Sequence, residues 1–130
     1  MLFRSVHGRQ GPGSLANDRL VVSEPDASSM IVSLNGKSIT YAASDVTGIR
    51  FRGHAGDDSA TTRSTPDLLL GGSGSDKLFA GAGDDLLGGG PGADALFGEE
   101  GFDLFYDGMG DDEVDFGPDE IGRASCRERV

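Results

Sequence analysis

The sequence predicts an all-β fold, a parallel β-roll preceded by short β-strands and a hairpin. Three observations lead to this class. Between residues 53 and 115, glycine, aspartate and a large apolar residue recur every nine positions. Upstream of that region, several short segments alternate β-branched and polar residues, as half-buried strands do. No segment of useful length shows the apolar period of an amphipathic helix.

The nine-residue register is clearest in residues 71–97, which read GGSGSDKLF, AGAGDDLLG and GGPGADALF. In these three blocks glycine holds the fourth place, aspartate the sixth and leucine the eighth. Blocks 98–106 and 107–115 follow in phase, although Glu99 and Asp107 stand where the motif has glycine. A fixed period of this kind is the signature of a repeat architecture.

Upstream of residue 71 the register continues without insertion but with weaker blocks. Block 53–61 (GHAGDDSAT) keeps its turn glycines and Asp58, with small Ala60 at the eighth place. Block 62–70 (TRSTPDLLL) keeps only Asp67 and Leu69 of the motif. We therefore expect seven blocks, of which this one is the most degraded.

The segment before the repeats reads as separate short strands with a tight turn. Asn35-Gly36 lies between two alternating segments, and both residues tolerate the positive φ that a type I′ hairpin turn requires. The predicted strands are residues 19–23, 30–34, 37–41 and 48–52.

Each repeat divides into a turn and a short strand. The first six places are too rich in glycine for a strand interior, because glycine favours tight turns with exposed carbonyls. The last three places suit one short strand whose eighth residue points inward. Two blocks then form one coil of 18 residues, and successive coils lie about 4.8 Å apart.

This stacking places the sixth-place aspartates in two columns, one along each edge of the roll. Carboxylates about 4.8 Å apart repel each other unless a cation lies between them. Calcium suits such a gap because it takes about 6–8 oxygen ligands in flexible geometry, whereas magnesium needs a stricter octahedron. Zinc would need Cys or His, and neither His7 nor His54 is in phase as a ligand.

The tandem motif GGxGxDxUx resembles the repeat of the RTX, or haemolysin-type, calcium-binding family. The resemblance covers residues 53–115 and implies about three to four Ca²⁺ ions, held by sixth-place carboxylates and by turn carbonyls. It implies ions in the gaps Asp76/Asp94, Asp94/Asp112 and Asp85/Asp103, with Asp58/Asp76 as a further gap and Asp67/Asp85 as a doubtful one. The implied metal ligands are Asp58, Gly71, Ser73, Asp76, Ala80, Ala82, Asp85, Gly89, Pro91, Asp94, Gly98, Asp103 and Asp112.

Composition argues against several other functions. The net charge of −11, from 22 acidic and 11 basic residues, disfavours nucleic acid and anionic membranes as partners. No apolar run is long enough to span a membrane. The sequence has two histidines and no HExxH, GxSxG, EF-hand or dinucleotide-binding motif, so we expect no enzyme activity in this chain. Its single cysteine, Cys126, allows no internal disulfide.

We divide the chain into a disordered leader (1–16), an N-terminal strand segment (17–52), the repeats (53–119) and a tail (120–130). The tail is expected to be foreign, because IGRASCRERV resembles the translation of a common sequencing adapter. The family resemblance implies a module of a larger secreted or cell-surface bacterial protein, so other domains of that protein are expected partners.

Two details have alternative interpretations. Phe79 and Phe97 share the ninth place two blocks apart, so they should stack on an outer face, either partly covered or as a docking surface for adhesion. A fragment of an RTX protease or lipase is a further alternative for the whole chain. The fifth-place residues Asp57, Asp84 and Asp111 either form turns or join the metal ligands; turn formation is favoured.

Overall fold

The computed structural model describes residues 2–7 and 17–117, and within these residues nearly all regular structure is β-strand. The one helical element there is a 3₁₀ turn at Ala43–Asp45. The strands are β1 (Leu2–His7), β2 (Arg19–Asp26), β3 (Ser29–Leu34), β4 (Lys37–Ala42), β5 (Val46–Ala55), β6 (Ser59–Thr61), β7 (Leu68–Ser73), β8 (Lys77–Phe79), β9 (Leu86–Pro91), β10 (Ala95–Phe97), β11 (Leu104–Met109) and β12 (Glu113–Asp115).

The strands form two sheets, and the chain alternates between them. The first sheet has the order β1-β5-β7-β9-β11, and the second has the order β12-β10-β8-β6-β2-β3-β4. Among strands β5 to β12 every pairing is parallel and joins residues 18 positions apart, as in Leu78 with Leu96. The predicted parallel β-roll with an 18-residue coil is therefore confirmed.

The core is a stack of eighth-place side chains between the two sheets. Each short strand alternates its side chains, so one residue of each points inward while its neighbours face outward. Val114, in the last block, is partly buried and packs against this core. The inward residues of the other six blocks are fully buried: Ala60, Leu69, Leu78, Leu87, Leu96 and Phe105.

The upstream strands are part of the same two sheets. Asn35 (φ 52°) and Gly36 (φ 85°) form the predicted turn, and β3 and β4 extend the second sheet in antiparallel pairing. However, β2 pairs in parallel with β6, so it occupies the position of one more coil. The roll thus extends further upstream than the nine-residue register.

Part of the expected leader is also structured. Residues 2–7 form β1, which pairs in parallel with β5. This pairing satisfies backbone groups along one edge of the ten-residue strand β5, which would otherwise be an open sheet edge. Residues 8–16 and the expected foreign tail, including Cys126, lie outside the described residues.

Candidate metal centre

The sixth-place aspartates lie in two columns along the turns, as the register predicts. One column holds Asp58, Asp76, Asp94 and Asp112, and the other holds Asp67, Asp85 and Asp103. Six of the seven side chains are at most 4% exposed, and only Asp112, in the last turn, is partly exposed. So many buried carboxylates require an explanation.

Hydrogen bonds connect the aspartates of each column. In every case Oδ1 accepts the backbone N–H of the aspartate one coil earlier. In the first column Asp58 donates to Asp76 at 2.7 Å and Asp76 donates to Asp94 at 2.8 Å. In the second, Asp85 donates to Asp103 at 3.0 Å. Each bond fixes the rotation of a carboxylate and satisfies one of its oxygens.

In six of the seven aspartates, the second carboxylate oxygen has no hydrogen-bond donor. Oδ2 is buried and lacks a hydrogen-bond partner in Asp58, Asp67, Asp76, Asp85, Asp94 and Asp103. A buried polar atom without a partner is costly, and a buried carboxylate oxygen more so. A repeated row of such oxygens fits a set of cations, each of which supplies the missing partner.

The first-place glycines carry no side chain, so these oxygens lie close to the backbone. A Cβ added at Gly71 would lie 2.3 Å from Oδ2 of Asp76, and one at Gly89 would lie 2.5 Å from Oδ2 of Asp94. The carbonyl of the next coil borders the same space, since a Cβ at Gly53 would lie 2.5 Å from the Gly71 oxygen. The pocket is therefore lined by carboxylate and carbonyl oxygens, which are the ligands that calcium prefers.

The predicted carbonyl ligands lie along the same turns, and their role as ligands stays a prediction. Ser73 and Pro91 each accept one backbone N–H from the preceding coil, at 3.1 Å, which leaves a second lone pair on each oxygen. Gly98 is another first-place glycine, whose Cβ would lie 2.2 Å from Oδ2 of Asp103. Ala82 donates its N–H to the preceding turn, whereas the Ala80 oxygen accepts a side-chain hydroxyl.

The fifth-place aspartates hold the turns together from outside. Asp57 Oδ1 accepts the N–H of Ser75 at 2.8 Å, and Asp84 Oδ1 accepts that of Phe102 at 3.0 Å. These bonds run to the following coil and lie on the exposed side of the turn. Both side chains therefore connect successive coils, and their role as turn formers stays a prediction.

Burial raises the pKa of the stacked aspartates. Desolvation is the largest cause, the backbone hydrogen bonds oppose it, and neighbouring carboxylates of the column add to it. The pKa of Asp76 rises to about 7, that of Asp85 to about 8 and that of Asp94 to about 6. Near neutral pH and without a cation, the carboxyl groups of Asp76 and Asp85 are thus protonated to a substantial extent.

Asp18 and Asn35 also belong to the first column, which the sequence did not predict. The N–H of Asp18 donates to Asp58 Oδ1 at 2.7 Å, so Asp18 occupies a sixth place 40 residues upstream instead of 18. Leu20, two residues later, is fully buried like an eighth-place residue. Asn35 then ends the column, because its side-chain amide donates to Asp18 Oδ1 at 2.7 Å and its Oδ1 accepts the Arg19 N–H. The spacing of Asp18 and Leu20 matches the sixth and eighth places of the motif and could have identified Asp18. The hairpin that is inserted before Asp58 shifts both residues out of the nine-residue register.

A side-chain-only metal site is not found in the part of the chain that the structure describes. There, no three His, Cys, Asp or Glu side chains converge as metal ligands. No helix among those residues has the length and apolarity to cross a bilayer. A cation between the turns would thus take most of its ligands from backbone carbonyls.

The comparisons with known proteins agree with this geometry. A scan against protein-family models matches the RTX calcium-binding nonapeptide repeat (four copies) at residues 52–87, 61–96 and 88–119. These matches span residues 52–119, more than half of the 130-residue chain. Neither the curated proteins nor the solved structures give a significant match. With stacked nonapeptide turns, two aspartate columns and this match, the chain belongs to the RTX calcium-binding repeat family.

Proposed function

We propose that the chain is a calcium-dependent folding module, in which Ca²⁺ ions between stacked turns hold successive coils together. One observation supports this most directly: six buried aspartates each have an Oδ2 atom without a hydrogen-bond partner. The first-place glycines add space for an ion, and the neighbouring carbonyls add oxygen ligands.

The proposed ions occupy the gaps Asp76/Asp94, Asp94/Asp112 and Asp85/Asp103. A fourth ion in the Asp58/Asp76 gap is supported by the same column hydrogen bond and by the oxygens of Asp58 and Gly71, which both lie beside Gly53. Three to four ions would neutralise much of the negative charge that the fold concentrates along its two edges.

Calcium binding should be strongly coupled to folding because the apolar core is small. Each short strand contributes one inward apolar side chain, while each turn buries a carboxylate. Binding to the folded chain alone stabilises it by RT ln(1 + [L]/Kd), or about 2.7 kcal/mol for each independent site at a hundredfold excess over Kd. Three to four such ions would supply about 8–11 kcal/mol, which is comparable to the net stability of a typical small domain.

The wider role that we propose is a stabilising module of a larger secreted bacterial protein. A chain that folds only with calcium stays unfolded where calcium is scarce and folds where it is abundant, which suits export before folding. Family membership supports this role. We propose that the rest of that protein carries any catalytic activity.

A second candidate function is protein interaction through the outer face of the second sheet. The rings of Phe79 and Phe97 stack as predicted, with centroids 4.6 Å apart and planes 4° apart. Both side chains are only partly buried. Replacing both by serine would separate the two functions, because an adhesion role would be lost while calcium-dependent folding would be retained.

Circular dichroism with and without calcium tests the first proposal. We expect a β-sheet spectrum in millimolar calcium and a largely disordered spectrum after the ion is removed. Magnesium at the same concentration is the control, since it is a poor fit to a large carbonyl-rich site. Equal spectra in calcium and in chelator would contradict calcium-dependent folding.

Paired aspartate variants test the assignment of gaps. Asp94 borders two proposed ions, whereas Asp67 borders only the doubtful gap. Asp94→Asn keeps an oxygen for the column hydrogen bond but removes the charge, so it should lower calcium affinity far more than Asp67→Asn. Isothermal titration measures both, and equal losses would refute the proposed gaps.

A further inference from the structure

At its first place, block 62–70 carries a threonine, whereas four of the seven blocks have glycine there. Thr62 stands where most blocks have glycine, and its side chain is only 2% exposed. Its hydroxyl donates a hydrogen bond to the carbonyl oxygen of Ala80, at 2.7 Å. Ala80 holds the first place of the stacked turn one coil later, so this bond connects two coils along the second column.

The Thr62 side chain lies where other blocks have an oxygen-lined space. In block 53–61 the corresponding Cβ position is 2.1 Å from Oδ2 of Asp58 and 2.5 Å from the carbonyl of Gly71. By the same register, Thr62 projects between Asp67 and the Ala80 carbonyl. Its hydroxyl and methyl groups thus lie between the oxygens of two turns, where a first-place glycine has no side chain.

A second hydroxyl donates to one oxygen of the carboxylate in the same turn. Thr65 donates to Oδ1 of Asp67 at 2.7 Å, and the N–H of Ile49 donates to the same oxygen at 2.8 Å. Asp67 therefore accepts a side-chain hydroxyl as well as a backbone N–H. In this turn, hydrogen bonds from threonine replace part of what a cation supplies elsewhere.

We propose that Thr62 fills the Asp67/Asp85 gap, excludes calcium from it and holds its two turns together through the hydroxyl bond to Ala80. The gap is then a calcium-independent connection between the upstream strands and the calcium-binding coils. This inference rests on the proposed function for its ion count, and it removes the Ala80 carbonyl from the set of calcium ligands.

Counting bound calcium tests the exclusion. We expect Thr62→Gly to bind one ion more than the unchanged chain, because it reopens the space, while Thr62→Ser leaves the count unchanged. In the chain that keeps Thr62, Asp67→Asn should not change the number of bound ions. In the Thr62→Gly variant, Asp67→Asn should remove the extra ion. Native mass spectrometry over a calcium titration gives these counts, with Asp76→Asn as the control that loses an ion.

Two results would overturn the exclusion. One is a loss of an ion from the unchanged chain on Asp67→Asn, which would mean that the gap already holds calcium, with the Thr62 hydroxyl as a ligand. The other is a Thr62→Gly variant that binds no additional calcium. If the unchanged chain binds no calcium at all, both the proposed function and the exclusion fail.

The connecting hydroxyl bond is tested by thermal unfolding in excess calcium, and independently of the ion count. Thr62→Val keeps the shape of the side chain but leaves the Ala80 oxygen without its donor, so its Tm should fall by about 5 °C. Thr62→Ser keeps the hydroxyl and should unfold at a temperature closer to that of the unchanged chain. Equal Tm values for the valine and serine variants would refute the bond, whatever the calcium count.

Discussion

Gly71 and Gly74 belong to one turn but are glycines for different reasons. Gly74 has φ 121° and approaches the preceding coil so closely that a Cβ would lie 2.1 Å from the carbonyl of Gly56. Both its conformation and its contacts exclude a side chain. Gly71 is not in the left-handed region, and the three atoms nearest to its added Cβ would all belong to the side chain of Asp76. At the scale of the residue, the first-place glycine therefore provides space for a ligand, while the fourth-place glycine forms the turn.

Gly71→Ala should lower calcium affinity with little strain in the backbone. The new methyl would lie 2.3 Å from Oδ2 of Asp76, so the carboxylate must move away from the space for the ion. We expect a loss of about tenfold in affinity, or about 1.4 kcal/mol, by isothermal titration. Gly88→Ala is the matched control, because its methyl meets only the flexible end of Leu70 on the outer face. Equal affinities of the two variants would contradict a role of this space in binding.

The raised pKa values predict that acid favours folding without calcium. In the folded chain the pKa of Asp76, Asp85 and Asp94 is about 7, 8 and 6, against 3.8 in the unfolded chain. Between these values the folded state binds more protons, so its stability falls as pH rises from about 4 to about 8. Circular dichroism of metal-free protein should show β-structure near pH 4 that is lost on titration through neutral pH.

Calcium provides the control for this pH dependence. In excess calcium the same carboxylates are held ionised by the cation, so β-structure should persist at pH 8. Metal-free protein whose β-structure increases from pH 4 to pH 8 would show that the column carboxylates are not the groups that oppose folding.

At the scale of the element, the Asn35-Gly36 turn closes both a hairpin and an aspartate column. The sequence predicted the hairpin because two residues that tolerate positive φ separate two alternating strands. It did not predict that the turn folds back over Asp18, where the Asn35 amide takes the place of a backbone N–H from another coil. The β2–β4 segment thereby supplies hydrogen-bond partners at the N-terminal end of the roll.

Asn35→Gly should destabilise this end without changing the calcium sites. Glycine keeps the left-handed turn but removes the donor to Asp18 and the acceptor for the Arg19 N–H. We expect a loss of about 1–2 kcal/mol in the free energy of unfolding, because both partners lose a hydrogen bond. Hydrogen exchange should show faster exchange at Arg19, while the calcium count stays constant. Unchanged exchange at Arg19 would contradict the capping role.

The same elements show how far sequence reasoning reaches. Short-range regularity predicted the coil, the inward leucines and the two columns, because a parallel stack translates the nine-residue period directly into positions in space. Blocks in which other residues replace the glycines of the motif were harder to interpret. Glu99 adopts φ 71° in place of a turn glycine, so the turn is kept despite the substitution. Asp18 was missed because the inserted hairpin changes its sequence distance to Asp58 without changing its place in the column.

At the scale of the whole molecule, the roll behaves as a one-dimensional array. Each coil pairs only with its neighbours, so the free energy of folding is close to a sum over coils and the interfaces between them. A chain with net charge −11 gains from each interface only when the carboxylates within it are neutralised. The number of ions taken up should therefore govern the stability of the whole array.

The dependence of stability on calcium concentration measures that number. Well above Kd, each ion bound only by the folded chain adds about 1.4 kcal/mol to the free energy of unfolding for every tenfold increase in calcium. Three to four ions predict a slope of about 4–5.5 kcal/mol per tenfold change, measured by urea unfolding over a calcium series. Thr62→Gly should raise the slope by about one ion, and magnesium should give almost none. A slope that corresponds to a single ion would mean that the gaps do not bind calcium as a cooperative array. A slope that corresponds to five ions would mean that the Asp67/Asp85 gap is occupied.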